Sequence, residues 1–420
     1  MLETVFLYLR NSLVTLLLVL CAPFFFSSCE HPDIWGVDPE EFSFRIENQN
    51  TEFLRHLDYS TYNVRDILRL DAAAPFYLSF YFNELGLIDI EIQLLELAFQ
   101  ETEEILRHSS GLLLLERLIQ QERFEQALAF SAELRQEYPE DEVVFLHQGE
   151  AFFGLSEWEE VISVWHEYVE NAGSLYHGNI ISELQGLAIR AGARTEQGTD
   201  FDSLRLACLN YPASDVHEEI YSDFTENGFF SLLPAGTGAL LQFKAEIASQ
   251  EYGRAKEALN AFFTESAWQA FFSPWIINEI GRAYIGTGTQ SEGARQLLWY
   301  AEAGDREHSF YLLERAGRLF RSAGRYSEAV QALESAYEIA PYAAAQDRCL
   351  WYLLDSLVSI SFEQSVSEIV AYSRFWHNPY MFSDVIARTT ALLTGSAQWE
   401  LLWEFYQGIE GTASRDALYP

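Results

Sequence analysis

The chain has 420 residues, is 49% hydrophobic and 15% aromatic, and carries a formal net charge of −37. It is too apolar for a disordered protein and long enough to bury a large core. Lys244 and Lys256 are its only lysines, so nearly all positive charge is arginine. A surface this acidic repels phosphate backbones and anionic headgroups, which argues against nucleic acid as a partner and against membrane binding through basic patches. Basic partners and dissolved cations stay open, beside the plainer reading that the charge keeps a large helical surface in solution.

Residues 1–28 have the plan of an export signal. A short head with one arginine, MLETVFLYLRNS, leads into an apolar run from Leu13 to Phe26. That run is shorter than the ~20 residues a bilayer-spanning helix needs. Phe26-Ser27-Ser28-Cys29 follows and resembles the bacterial lipobox, with Phe26 where an aliphatic residue is usual. The resemblance implies a lipid on Cys29 and a mature chain held at a membrane on the exported side, in the periplasm or cell envelope. The alternatives are an ordinary cleaved signal or an uncleaved anchor helix. Cys21 lies in the signal, and Cys208 and Cys349 are far apart with no CxxC pair. They form neither a disulfide framework nor a thiolate metal site and are expected on buried helix faces.

Residues 29–72 read as a polar tether and an irregular region, with order expected from about Phe42 and helical periodicity from about Thr61. Residues 73–198 read as N-terminal helical repeats. The aromatic run PFYLSFYFNELG reads as deeply buried, with an exposed docking surface as the alternative. Segments 111–139 and 142–173 align without gaps, placing Phe124 with Trp158, Ala127 with Val161 and Pro139 with Gly173, each 34 residues apart. In residues 199–238 Pro212, Gly228, Pro234, Gly236 and Gly238 interrupt the pattern, so this stretch reads as an irregular insert or a degenerate repeat. Residues 239–420 read as C-terminal repeats, with weak units at about 346–376 and 383–409. In these, Phe362 and Trp399 take the aromatic position after the turn.

Residues 311–341, YLLERAGRLFRSAGRYSEAVQALESAYEIAP, are the clearest unit. Leu313, Ala316, Gly317 and Phe320 mark one apolar helix face. Gly324-Arg325-Tyr326 fits a turn, and Ala329, Leu333 and Ala336 mark a second face that Pro341 ends. A hairpin this small cannot bury its own apolar surface and must stack on copies of itself. The pattern Leu-x2-Ala-Gly-x2-Phe, then Ala-x3-Leu, then Pro, resembles the tetratricopeptide repeat. The resemblance covers most of residues 110–410. It implies an all-α solenoid of helical hairpins, a right-handed superhelix whose first helices line a groove for a peptide or partner helix.

Motifs for chemistry are missing from the sequence. Neither lysine follows a glycine as a P-loop requires, and His166-Glu167 and His217-Glu218 lack the second histidine of HExxH. Soluble lytic transglycosylases join a helical superhelix to a catalytic domain with a Glu-Ser pair and a Gly-Leu-Met-Gln stretch. Here Glu265-Ser266 and Glu334-Ser335 lie in repeat helices or at their ends, and the Gly-Leu-Met-Gln stretch does not occur. No enzyme activity, cofactor or metal is expected. The expected function is a lipid-anchored scaffold that binds a protein or peptide in the cell envelope. Alternatives are an accessory component of a periplasmic solute transporter and a non-catalytic relative of the transglycosylase helical domain.

One stripe is a candidate binding surface. Asn278 and Glu314 take one first-helix position, Arg282 and Arg318 the position a turn later, and Arg321 extends the line. Guanidinium groups suit carboxylates because parallel donors reach both oxygens. In this the stripe resembles the carboxylate-clamp repeats. The competing reading pairs Glu279 with Arg282 and Glu314 with Arg318 as ordinary ion pairs on the helix surface.

Overall fold

The computed structural model describes residues 41–42, 45–46, 54, 56–57, 64–171, 178–195, 201–263, 273–303 and 306–410. The expected signal segment and Cys29 lie outside them. The described residues form two compact units that divide between Ala191 and Gly192. Within each unit the α-helices pack chiefly on helices close to them in sequence, in an all-α, helical-hairpin architecture.

The first unit opens with a 3-10 turn at Val64–Arg69 and continues with α1 (Ala74–Glu84), α2 (Ile88–Glu101), α3 (Glu104–Gln120), α4 (Phe124–Glu137), α5 (Glu142–Gly154), α6 (Trp158–Asn171) and α7 (Gly178–Gly192). Pro75 starts α1, where its missing amide costs nothing. The Asp141 carboxylate caps α5 by accepting the Val143 N–H at 2.9 Å. The aromatic run in α1 is buried on one stripe only. Leu78 and Phe82 are in the core, whereas Phe76 and Tyr77 are half-buried, because an eleven-residue helix turns only one side inward.

The second unit holds α8 (Phe201–Asn210), α9 (Asp215–Glu226), α10 (Ala235–Ala248), α11 (Tyr252–Phe263), α12 (Pro274–Gly286), α13 (Gln290–Ala303), α14 (Arg306–Ser322), α15 (Tyr326–Ile339), α16 (Ala343–Val358), α17 (Phe362–Tyr372), α18 (Pro379–Gly395) and α19 (Trp399–Glu410). The irregular stretch between residues 199 and 238 contains α8, α9 and a short 3-10 turn at Phe229–Leu232. Gly228 opens that turn in the left-handed region at φ 77°.

One turn chemistry recurs. In seven hairpins the first helix ends on a left-handed residue: Gly86, Glu122, Ser156, Gln250, Gly288, Gly324 or Ala397. The residue after it sends its N–H back five positions, as Arg325 does to Phe320 at 2.8 Å and Arg123 to Leu118 at 2.9 Å. The left-handed residue itself bonds three positions back, as Gly324 does to Arg321 at 3.0 Å. This is the Schellman closure, which satisfies carbonyls that the helix end leaves open. The next helix starts at once, so each turn is short and the two helices lie against each other.

Hairpins then stack. α12, α14, α16 and α18 are the first helices of successive hairpins, and each packs on the next. Ala316, Gly317 and Phe320 of α14 and Ala329, Leu333 and Ala336 of α15 are buried as the sequence expects, whereas Leu313 is only half-buried and Leu312 and Leu319 face the core. Phe362 is half-buried at its turn-aromatic position. Trp399 also takes its turn-aromatic position, two residues after the left-handed Ala397, but it is 60% exposed, because among the described residues no helix seats on it. Cys208 and Cys349 are free and buried.

Candidate functional site

The first-helix surface of the second unit is built around Arg315. Its side chain lies over Gly281 of the preceding first helix, where an added Cβ would fall 1.8 Å from the guanidinium Nε. Only glycine leaves that room. Arg315 Nη2 donates to the Asn278 carbonyl at 2.9 Å, and the side chain is buried. Burial pushes the Arg315 guanidinium down to about 10, and the neighbouring charges of Arg318 and Arg282 push the same way against Glu314.

The five residues singled out in the stripe have different fates. Asn278 and Arg282 are exposed. Glu314 is buried and takes two bonds from Arg348 of the next first helix, 2.5 Å from Nε and 2.8 Å from Nη2. That bond holds the Arg348 guanidinium above its ordinary range. Arg318 lies 3.9 Å from Glu314 and 4.8 Å over the Tyr352 ring. Arg321 donates to Asp355 at 2.5 Å. Asp355 also accepts from Arg388 at 2.8 Å, and Arg388 lies 4.9 Å over Trp351, whose indole N–H donates to Asp384 at 2.8 Å.

Of the two helix-surface pairs of the simpler reading, Glu314 with Arg318 forms only loosely, at 3.9 Å, and Glu279 with Arg282 gives way to another partner. Glu279 faces the core and pairs with Lys244 instead of Arg282. Glu314 bonds Arg348 at far shorter range than Arg318, because the parallel donors of Arg348 reach across the stack to both carboxylate oxygens. With Glu314 committed to Arg348, Arg282, Arg315 and Arg318 form a local excess of positive charge in a chain of net charge −37.

Sequence reasoning missed Arg315, Arg348 and Asp355. The signal was their spacing: Glu314 and Arg348, and Arg321 and Asp355, are 34 residues apart, and Asp355 and Arg388 are 33 apart. Opposite charges one repeat apart meet when hairpins stack in register.

A second polar cluster lies in the core of the same unit. Lys244, fully buried, donates to the Tyr211 carbonyl at 2.7 Å and lies 2.8 Å from Glu279, which accepts the Ala213 N–H at 2.5 Å. Burial pushes the Cys208 thiol up to about 12 and the His217 imidazole down to about 3. A thiol held protonated is a poor nucleophile, and the contacts of this cluster join α10 to α12. Among the described residues no group of three or more His, Cys, Asp or Glu side chains is placed to hold a metal ion. No helix among them is long and apolar enough to cross a membrane.

No protein-family model matches the chain, and no curated protein matches it. Among solved structures, a tetratricopeptide repeat protein from Parabacteroides merdae is similar over 67% of this chain and 98% of its own, at 11% identity and a TM-score of 0.28. A circular tandem repeat protein with novel repeat topology is similar over 96% of each chain, at 13% identity and a TM-score of 0.16. The architecture rests on the hairpins themselves.

Proposed function

We propose that this helical-repeat protein is an exported scaffold, lipid-anchored through Cys29, that binds a protein or peptide of the cell envelope on the first-helix surface of its second unit. The anchor rests on Phe26-Ser27-Ser28-Cys29 alone. The binding reading rests on one observation: Arg282, Arg315 and Arg318 gather where the chain is otherwise acidic, with Glu314, the carboxylate beside Arg315 and Arg318, held by Arg348. A carboxylate of the partner seats there, its two oxygens taken by guanidinium donors. Tyr352, beneath Arg318, holds that side chain in place through its ring face.

Two experiments test the reading. Labelled fatty acid should enter the wild-type protein and not Cys29→Ala; labelling that persists in the variant removes the anchor. For the surface, the probe is a labelled peptide with a free C-terminal carboxylate, compared with its amide. Arg282→Ala with Arg318→Ala should weaken the acid peptide by about tenfold or more, most strongly at low salt, and leave melting unchanged. Equal binding of acid and amide, or unchanged binding by the double variant, refutes a carboxylate site.

A further inference from the structure

We infer that the exposed aromatic flank of α19 is a second docking surface, and that its occupant is a cationic amphipathic helix of a partner protein. Trp399, Trp403 and Tyr406 lie at i, i+4 and i+7, one line along the helix, and are 60%, 64% and 42% exposed. The helix is otherwise firmly seated, since Phe405 and Ile409 on its inner side are fully buried.

The stack itself shows what such a flank receives. In α4 the turn aromatic is Phe124, and the end of the next first helix, α5, lies directly on it: a Cβ at Gly154 would meet the Phe124 ring at 2.4 Å. In α11 the turn aromatic is Tyr252, and the end of α12 lies on it in the same way: a Cβ added at Gly286 would clash with the Tyr252 ring. Trp399 holds the corresponding position on α19, and among the described residues no helix covers it. The surface therefore has the form of a seat for an α-helix that presents a small residue to Trp399 and apolar residues to Trp403 and Tyr406.

Charge selects the kind of helix. The charged residues of α19 are all glutamates, including Glu400 and Glu404 beside the aromatic line, and the helix has no cation. A second copy of a chain at −37 is repelled, and so is an anionic membrane surface. Lysine or arginine flanking an apolar stripe meets both the glutamates and the indole faces, which attract cations. This surface does not depend on the arginine site of the first helices.

The test uses the full mature chain and two labelled model helices of alanine and leucine, one carrying lysines and the other glutamates at the same positions. The lysine helix should bind about tenfold or more tightly than the glutamate helix and shift tryptophan emission. Trp399→Ser with Trp403→Ser should lose that binding, with unchanged melting because both rings are exposed. Arg282→Ala with Arg318→Ala should leave it intact. Equal binding of the two helices, or retention by the tryptophan double variant, overturns the proposal. Mass doubling that the tryptophan variant abolishes assigns the flank to a second copy. Vesicle binding that it abolishes, without helix binding, assigns it to lipid. Tighter helix binding after deletion of residues 411–420 assigns it to the chain's own continuation. Each of these three replaces the partner helix.

Discussion

Lys244 and Glu279 lie 2.8 Å apart with side chains 0% and 3% exposed, an ion pair that joins α10 to α12 inside the second unit. Burial pushes the Glu279 carboxyl up, and Lys244 opposes that push by charge and hydrogen bonding. Removing one partner leaves the other charge buried and uncompensated. Lys244→Met is expected to cost about 3–5 kcal/mol in urea unfolding. Lys244→Met with Glu279→Leu should recover part of that loss, the remainder reflecting the Ala213 N–H left without its acceptor. A Lys244→Met variant as stable as wild type would show that the pair is not sealed from water.

His217 gives this unit a pH dependence. Its imidazole is buried, and burial followed by the charge of Lys244 lowers its folded value to about 3, against an ordinary 6.5. Below about 6.5 the unfolded chain takes up a proton that the folded chain refuses, so the histidine's contribution to stability falls as pH drops from about 6.5 towards 3. The slope is at most about 1.4 kcal/mol per pH unit. Glu279, with its raised value, acts in the opposite sense. The comparison is therefore the difference between wild type and His217→Gln: melting of the wild type should fall more steeply between pH 6 and pH 4. Parallel curves would count against a buried neutral imidazole.

Gly317 is where α14 approaches α15, since a Cβ there would lie 2.5 Å from Leu333 Cγ. Gly317→Leu is expected to cost about 1–3 kcal/mol by overpacking. Ala329→Glu should cost more, because Ala329 is fully buried and a carboxylate there has no partner. Thermal melting of both variants is the check, and two unchanged transitions would contradict this packing.

Ala397 and Glu122 hold the left-handed turn position at φ 55° and 56°, where Gly86, Gly288 and Gly324 stand in other hairpins. Relief of a left-handed Cβ is worth about 1–2 kcal/mol, and glycine's extra freedom in the unfolded chain takes back about 0.5–1. Ala397→Gly and Glu122→Gly are each expected to gain about 0.5–1 kcal/mol, read as a higher urea midpoint with an unchanged slope. A loss of stability in both would contradict the turn geometry.

Much of the fold was legible in the sequence, because it rests on local chemistry. The 34-residue offset between Phe124 and Trp158 reappears as the offset between the left-handed residues Glu122 and Ser156, and Gly324 closes the hairpin its sequence marked. Helix periodicity, turn glycines and terminating prolines act within a few residues and need no partner. The pairings across the stack were not legible. Glu314 is four residues from Arg318 yet bonds Arg348, and Glu279 is three from Arg282 yet seals Lys244 in the core. Which charge meets which depends on the register of one hairpin against the next, and on desolvation that spacing along the chain does not encode. Trp399 makes the same point for packing: its position after a turn was readable, but whether a ring in that position is buried is decided by the helix that seats on it.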